Sequence, residues 1–322
     1  MNKVKLRLKE DNDATIDASH IEDVIGQDEG KKKLSFFVKS HSKETPFPTL
    51  LFTGSQGLGK TFMSQKVADS LDRDLVEVNC STIQTAEDFI KKIWVDQIFY
   101  NSDKPRTILF DEAHKLSFEI TTLLLSFLNP NAENKNTVDF DGFSLEYNFY
   151  TTNIIFATTD AHMMFKPLLN RCEEIYFNQY TSGCLFDIMG MYLPKTTLKC
   201  DKKELAEACR GRARDAFILS QNVKRYCSMK DTDILTQDGW SAIRDLFGIH
   251  AKGLNSKEVS FLKLLAEFAP VSSKNVAIKL GINVNNVEEE LEIRPRELGL
   301  IESTSKGRVL TKAGERYLNT NS

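Results

Sequence analysis

The chain has 322 residues, 41% of them hydrophobic and 27% charged, with a formal net charge of −3. That length exceeds one ordinary core and predicts roughly two or three domains, while the near-neutral charge excludes a surface coated in basic groups, so any nucleic-acid contact must come from local patches. No apolar run approaches the ~18 residues that span a bilayer, and the start from Met1 to Glu10 is charged without an apolar signal core, which predicts a cytoplasmic protein.

Residues 1 to about 20 read as polar and irregular. Ile21-Glu-Asp-Val-Ile-Gly-Gln-Asp28 then leads into a helix over Lys31 to Val38, and this turn, with Val24 and Ile25, precedes the next motif at a distance suited to covering an adenine. That motif is Thr49-Leu-Leu-Phe-Thr-Gly-Ser-Gln-Gly-Leu-Gly-Lys-Thr61, an apolar run broken by Gly54, Gly57 and Gly59 before Lys60 and Thr61. It satisfies G-x-x-x-x-G-K-[ST], with a strand in front and an amphipathic helix behind (Phe62, Met63, Val67, Leu71). The glycines let backbone N–H groups turn inward around phosphate oxygens, Lys60 reaches the β- and γ-phosphates, and the Thr61 hydroxyl can hold Mg²⁺. Nucleoside triphosphate binding is the first expectation.

Leu75 to Asn79 alternates like a strand, and Thr85 to Trp94 has helical period. Thr107-Ile-Leu-Phe-Asp-Glu-Ala-His114 reads as a buried strand ending in two acids. Asp111 would join the Mg²⁺ shell and Glu112 would polarise the attacking water, as phosphoryl transfer to water requires. The letters D-E-A-H also occur in two-lobed helicases, but the chain has no room for a second lobe. His114, alone one turn past the acids, reads as a packing and hydrogen-bonding residue. Leu116 to Leu128 is an amphipathic helix stopped at Asn129-Pro130. From Ala132 to Asn148, Val138, Phe140, Phe143 and Leu145 alternate around Asp141-Gly142 as in a β-hairpin, an insertion suited to a partner or substrate. Asn153-Ile-Ile-Phe-Ala-Thr-Thr-Asp160 is a further buried strand whose hydroxyls could sense the γ-phosphate; Lys166 to Arg171 and a last strand, Glu174 to Phe177, follow. Strands alternating with helices predict a parallel, doubly wound α/β sheet with the phosphate loop at its carboxyl edge.

From Thr181 the pattern changes to helices without strands: Leu185 to Tyr192, Lys202 to Arg210, Ala213 to Arg225 and Trp240 to Phe247. Arg210-Gly-Arg-Ala-Arg-Asp215 sets arginines at a helix start, against the helix dipole, which points to a nearby anion. Beyond Lys252-Gly253, three helices (Asn255 to Phe268, Ser272 to Leu280, Val284 to Leu291) and a hairpin about Ser305-Lys-Gly307 make a winged helix. The expected domains are residues 1–180, 181–251 and 252–322. Residues 253–319 hold ten Lys and Arg against nine acids, and Glu288 to Glu290 with Glu292 would repel phosphate from the recognition helix. Lys306, Arg308 and Lys312 on the wing instead suggest sequence-independent backbone or minor-groove contact; docking of a protein is the other use of such a module. Cys80, Cys172, Cys184, Cys200, Cys209 and Cys227 form no C-x-x-C pair and read as reduced packing residues.

In order and spacing, Ile25-Gly-Gln27, Gly57 to Thr61, Leu109 to Leu116, Ala157-Thr-Thr159, Pro167 to Arg171 and the wing Gly307 to Thr311 resemble the RuvB family, bacterial AAA+ motors of Holliday-junction branch migration. The resemblance implies a AAA+ phosphate-loop domain, a helical lid and a C-terminal winged helix, acting on double-stranded or four-way-junction DNA as a homo-hexamer with ATP and Mg²⁺. It implies Thr159 as the sensor positioning the hydrolytic water, Arg171 as a finger acting on ATP held by the next subunit, and Arg214 as the lid's sensor arginine. It further implies Gly54, Gly57, Leu58, Gly59, Lys60, Thr61, Phe62, Val24, Ile25 and Tyr180 around the nucleotide. The family's Gly-Pro-Pro in the phosphate loop is Gly54-Ser-Gln56 here, and Leu169 replaces an additional arginine. The 132–148 hairpin, which in the family docks a junction-binding protein, RuvA, carries Asp139, Asp141 and Glu146, implying a different or divergent partner. Other readings are a helicase or clamp loader, a replication initiator, and a nucleotide-gated DNA-binding protein without translocation.

Overall fold

A computed structural model describes residues 16–91, 105–140 and 143–321. The end of the helix expected over Thr85 to Trp94, the Asp141-Gly142 turn and the side chains of Phe140, Phe143 and Leu145 lie outside the described residues. The chain divides into two compact units, Met1–Gln179 and Tyr180–Ser322.

In the first unit, β1 (Leu50–Thr53), β2 (Asp74–Asn79), β3 (Arg106–Asp111), β6 (Thr152–Thr158) and β7 (Glu173–Tyr176) form one parallel sheet in the order β2-β3-β6-β1-β7. Every residue of β1 and β6 is buried, as in strands covered on both faces, with Ile154 to Ala157 the apolar centre of β6, whereas β2 and β7 at the edges are partly exposed. Phe110 stacks between Phe89 and Phe156 at centroid distances of 5.9 and 5.4 Å, which ties the sheet to helix Phe118–Phe127 through a shared apolar core. Strands β4 (Lys135–Phe140) and β5 (Phe143–Asn148) form the expected antiparallel hairpin. Val138 and Tyr147 pack onto the core, and the Asn136 amide donates to the carbonyls of Phe127 (2.7 Å) and Asn129 (2.6 Å). Thr137, Asp139, Ser144 and Glu146 face solvent, so the described outer surface of the hairpin is polar.

The second unit holds helices Ser182–Tyr192, Lys202–Ala208, Ala213–Met229 and Gln237–Phe247. The expectation of helices without strands is corrected by a parallel ladder of β8 (Thr197–Lys199) with β9 (Ile234–Thr236). Three residues a strand are too few to show a period in sequence, and the pairing is non-local. The winged helix follows with helices Ser256–Phe268, Ser273–Leu280 and Lys312–Thr320 and the hairpin β10 (Ile301–Thr304) to β11 (Gly307–Leu310). The single helix expected over Val284 to Leu291 is instead one α-turn, Val284–Asn286, a π-turn, Val287–Leu291, and a short helix, Ile293–Glu297. The wider turn lets both Val287 and Leu291 reach the core while Glu292 is buried behind them.

Within the first unit, Arg73 is 6% exposed and donates to Asn153 Oδ1 (2.6 Å), the Tyr150 carbonyl (2.5 Å) and His41 Nε2 (3.0 Å). His41, stacked on Tyr150, is held neutral: burial first and the Arg73 cation second bring its pKa from 6.5 down to about 4. The unfolded chain binds this proton near pH 6.5 and the folded chain does not, so the native state is undiminished above that pH and loses stability as pH falls from 6.5 towards 4. His41→Gln, which keeps an acceptor for Arg73, is expected to lose less melting temperature between pH 7 and pH 4.5 than the parent chain, measured by circular dichroism.

Candidate nucleotide site and nucleic-acid interface

The parallel register brings the ends of β1, β3, β6 and β7 to one edge, and most of the residues singled out in unit one lie there. At the end of β1 the chain turns at Gly54, whose φ is +143° and where a Cβ would come 2.5 Å from the Phe177 carbonyl. No other residue fits so close to β7 in that conformation. Gly57 and Gly59 are also left-handed, and helix Lys60–Ser70 begins at Lys60 with Gly59 as its N-cap. Its first N–H groups therefore open towards the loop, a site made for an anion. Lys60 is nearly buried and donates to the carbonyls of Gly54 (2.6 Å) and Ser55 (3.0 Å). Leu58 is buried, Thr61 half-buried, and Phe62 exposed beneath the Lys66 ammonium.

The turn at Val24 and Ile25 belongs to the same edge. Gln27, left-handed at φ 54°, pairs twice with the backbone of Asn178, donating to its carbonyl (2.8 Å) and accepting from its N–H (3.0 Å). Lys31 Nζ donates to the Val24 carbonyl at 2.6 Å, so the turn is clipped to the residue after Phe177, which itself abuts Gly54.

Asp111 closes β3, and its carboxylate accepts the Glu112 N–H at 3.1 Å. Glu112 is left-handed at φ 55°, an unusual conformation for a side chain of this kind. The Thr61 hydroxyl and the Asp111 carboxylate are hard oxygen donors and suit Mg²⁺. Cys80, at the end of β2, is raised to about 12 by burial and by the charges of Asp111 and Glu112, and is an inert thiol. The two threonines of Ala157-Thr-Thr159 face opposite ways: Thr159 is exposed and donates to Asp160 Oδ2 (2.9 Å), whereas Thr158 is fully buried and lies 2.9 Å from His114 Nδ1. Read from the residues alone, the sequence marks both hydroxyls, the resemblance picks out Thr159, and His114 reads as packing; the alternation of side chains at a strand end is the available signal for Thr158.

Arg171 lies elsewhere. It precedes β7, whose first residue, Glu173, donates its N–H to the Thr49 carbonyl ahead of β1. Arg171 thus sits at the amino edge of the sheet, at least ~13 Å of strand from the carboxyl edge where the phosphate loop opens, at ~3.3 Å per residue. Its Nη1 donates to the Pro167 carbonyl at 2.9 Å.

In the second unit, the Tyr180 N–H donates to the Gly211 carbonyl (2.9 Å), and Arg214 is exposed on the first turn of helix Ala213–Met229. The anions expected near Arg210-Gly-Arg-Ala-Arg214 are in part internal. Arg210 pairs with Glu258, whose side chain is 0% exposed and caps its own helix through Asn255. Asp215 is raised by burial and pulled back by Arg212, Arg210, Arg214 and Arg294. Glu258 is raised by burial against the same kind of opposition. Gly253, at φ +71°, runs so close to the Glu207 carbonyl that a Cβ would overlap it, which packs the start of the winged helix directly onto the preceding helices.

On the wing, Lys306 and Lys312 are exposed. Arg308 is turned inward: its Nε donates to Glu292 (2.7 Å) and its Nη2 to Glu288 (2.6 Å). Hydrogen bonds from Ser273 and Arg308 hold the Glu288 carboxyl below the usual carboxylate range. The expectation that Glu292 would repel phosphate from the surface is corrected, because it is 1% exposed and spent on Arg308 and Arg296.

The AAA family model, ATPases associated with various cellular activities, matches residues 50–180, and the RuvB C-terminal winged helix domain matches residues 251–319. RuvB of Campylobacter concisus, described as a Holliday junction branch migration complex subunit, is 26% identical over 95% of this chain and 91% of its own length. The corresponding subunit of Campylobacter jejuni subsp. doylei is 24% identical over 98% of this chain and 95% of its own length. Among solved structures, the Thermotoga maritima RuvB Holliday junction branch migration motor shares the fold, with a TM-score of 0.74 at 22% identity, covering 92% of this chain and 95% of that one. A substituted variant of the same protein superimposes with a TM-score of 0.76 at 21% identity, over 93% and 97%.

With a phosphate loop, paired acids and threonine-ended strand on one edge of a five-stranded parallel sheet, the fold and site define an ATP-binding AAA+ ATPase carrying a winged helix. Within that class the chain is similar over nearly its whole length to RuvB subunits, and its residues 251–319 match the RuvB winged helix.

Removing Arg210 strands a carboxylate with no access to water. Arg210→Met is expected to destabilise the second unit by about 3–5 kcal/mol in urea unfolding, and adding Glu258→Met is expected to recover most of that loss.

Proposed function

We propose that this ATPase is a motor on double-stranded DNA that assembles as a homo-hexameric ring and drives branch migration of four-way junctions in recombination and repair. The observation that carries the reading is the separation of Arg171 from the phosphate loop across the sheet: a cation at the amino edge is out of reach of its own subunit's nucleotide and suited to the site of a neighbour. The domains are then 1–180, 181–251 and 252–322, with the working cell of the enzyme in the cytoplasm.

In this reading Gly54, Gly57, Leu58, Gly59, Lys60, Thr61 and Phe62 cradle the phosphates of ATP, while Val24, Ile25 and Tyr180 cover the adenine. Lys60 exchanges the carbonyls of Gly54 and Ser55 for phosphate oxygens. Thr61 and Asp111 would hold Mg²⁺, which would supply positive charge against the triphosphate. Glu112 accepts a proton from the attacking water as it orients it, Thr159 bonds that water or the γ-phosphate, and Arg171 and Arg214 stabilise the charge that develops on the transferred group. Lys306 and Lys312 contact the DNA backbone, and Arg308 joins them only by leaving Glu288. The polar outer face of the 135–148 hairpin fits a partner that docks through hydrogen bonds and charge, such as a RuvA-like junction-binding protein of altered surface.

Glu112→Gln is expected to retain ATP binding while its hydrolysis drops by about 100-fold or more. Arg171→Ala should lose on the order of 10³-fold in turnover at unchanged ATP affinity, with the parent chain's specific activity rising with protein concentration. Equal turnover by the monomer and the assembly, or by Arg171→Ala, rules the ring out. Absence of any stimulation by duplex or four-way DNA favours a nucleotide-gated binding protein. Lys306→Ala combined with Lys312→Ala is expected to weaken duplex binding equally across sequences and to lower the slope of log affinity against log salt by about 2.

A further inference from the structure

His114 is a titratable side chain beside the proposed site to which the mechanism assigns nothing, and its surroundings are specific. The imidazole is 4% exposed and sits on a single 3₁₀ turn, Ala113–Lys115, that Glu112 caps; the Lys115 N–H donates to the Glu112 carbonyl at 2.8 Å. On one side its Nδ1 is 2.9 Å from Thr158 Oγ1, and on the other its Nε2 is 3.5 Å from Glu112 Oε2. Thr158 Oγ1 already accepts the Asp160 N–H at 3.0 Å, so its remaining hydrogen is free to point at the ring.

One tautomer satisfies every group. With its hydrogen on Nε2, His114 accepts the Thr158 hydroxyl at Nδ1 and turns a polar N–H towards the Glu112 carboxylate, an electrostatic contact at 3.5 Å. The opposite tautomer sets a ring lone pair against a carboxylate. The chain of contacts extends further, because Asp160, whose N–H feeds Thr158, also accepts the Thr159 hydroxyl at 2.9 Å. Thr159, Asp160, Thr158 and His114 are therefore hydrogen-bonded in series, and His114 meets Glu112 by charge contact. At the far end Glu112 holds a left-handed backbone, φ 55° and ψ 44°, which leaves its carboxylate dependent on outside contacts for its direction.

We propose that His114 is a positioning residue: it ties the carboxylate of Glu112 to the strand end that carries Thr159, so that engagement of the γ-phosphate at Thr159 is relayed to the aim of the group that orients water. The idea rests on the reading of Glu112 and Thr159 given above. It assigns to a buried imidazole a role that packing alone would not need, since the ring is hydrogen-bonded on one side to the sensor strand and faces the acid on the other.

The test uses the full chain with Mg²⁺, duplex DNA and saturating ATP, and measures turnover beside the dissociation constant of a fluorescent ATP analogue. His114→Ala and the near-isosteric Thr158→Val should each lower kcat by about 10- to 100-fold with analogue affinity within about 2-fold, the loss expected when a reacting group is misplaced by about an ångström. Because both residues lie on one path, the double variant should be no slower than the slower single variant. A Thr158→Val enzyme with the parent kcat, or losses that multiply in the double variant, overturns the proposal; should His114→Ala fold poorly, Thr158→Val decides alone. If Glu112→Gln itself keeps the parent rate, the reading of the site fails first. If Glu112→Gln is inactive and Thr158→Val is normal, only the relay fails.

Discussion

The parallel alignment of β1 between β6 and β7 is the constraint on which the site depends. Parallel strands all end on the same side, so chemistry placed at their carboxyl ends is gathered without any loop having to reach far. That is how Gly54, Asp111, Thr158 and Thr159 come to one edge although long stretches of chain separate them. The same alignment keeps Arg171 away. A residue that leads into β7 is carried to the edge opposite the loop that follows β1, and no side-chain rotation reverses that. The burial of β1 and β6 is the energetic source of the arrangement, because only strands covered on both faces are buried over their whole length.

Charges inside the second unit are used differently from those at the sheet edge. Glu258 and Glu292 are each almost wholly buried and each is met by arginine: Arg210 for the first, Arg308 and Arg296 for the second. Buried pairs of this sort contribute little net stability over an apolar contact of the same size, but leaving one partner alone is expensive. They therefore specify which surfaces meet. Arg210 is left-handed at φ 54°, a conformation that aims its guanidinium at Glu258 across the start of the winged helix. The module is near charge balance by composition, and part of that balance is consumed inside it, while Lys306 and Lys312 on the wing stay exposed together with Lys257, Lys263, Lys274, Lys279 and Arg316.

Much of the fold was legible because its signals are local. A glycine-rich turn between an apolar run and a helix, or an apolar run ending in two acids, carries its own context within a dozen residues. What escaped was non-local or self-cancelling. The β8–β9 ladder joins two three-residue strands far apart in sequence, and neither has a period to detect. Three acids followed by Glu292 looked like a repulsive surface, because nothing in the sequence shows that the π-turn rotates Glu292 inward to Arg308. Arg308 was read as a free cation for the matching reason. Thr158 and His114 were both visible as polar residues at strand ends, but their partnership depends on β3 and β6 being neighbours, a matter of sheet order.

Lys60 shows how the phosphate loop satisfies its own buried cation. Its ammonium is satisfied by two carbonyls of its own loop, so the buried charge is never left uncompensated. Triphosphate oxygens are stronger partners for the same donors, and the loop glycines fix where those oxygens can lie. On the reading proposed above, a triphosphate would take over the donors now held by the Gly54 and Ser55 carbonyls and would bring negative charge towards the carboxyl edge, where Asp111 and Glu112 stand. Two carboxylates beside a triphosphate would repel it without a divalent cation between them, and the hard oxygens of Thr61 and Asp111 suit such a cation. A group that must face incoming negative charge without collapsing onto the cation needs an anchor on its other side, and among the described residues the contact that meets Glu112 there is the imidazole of His114.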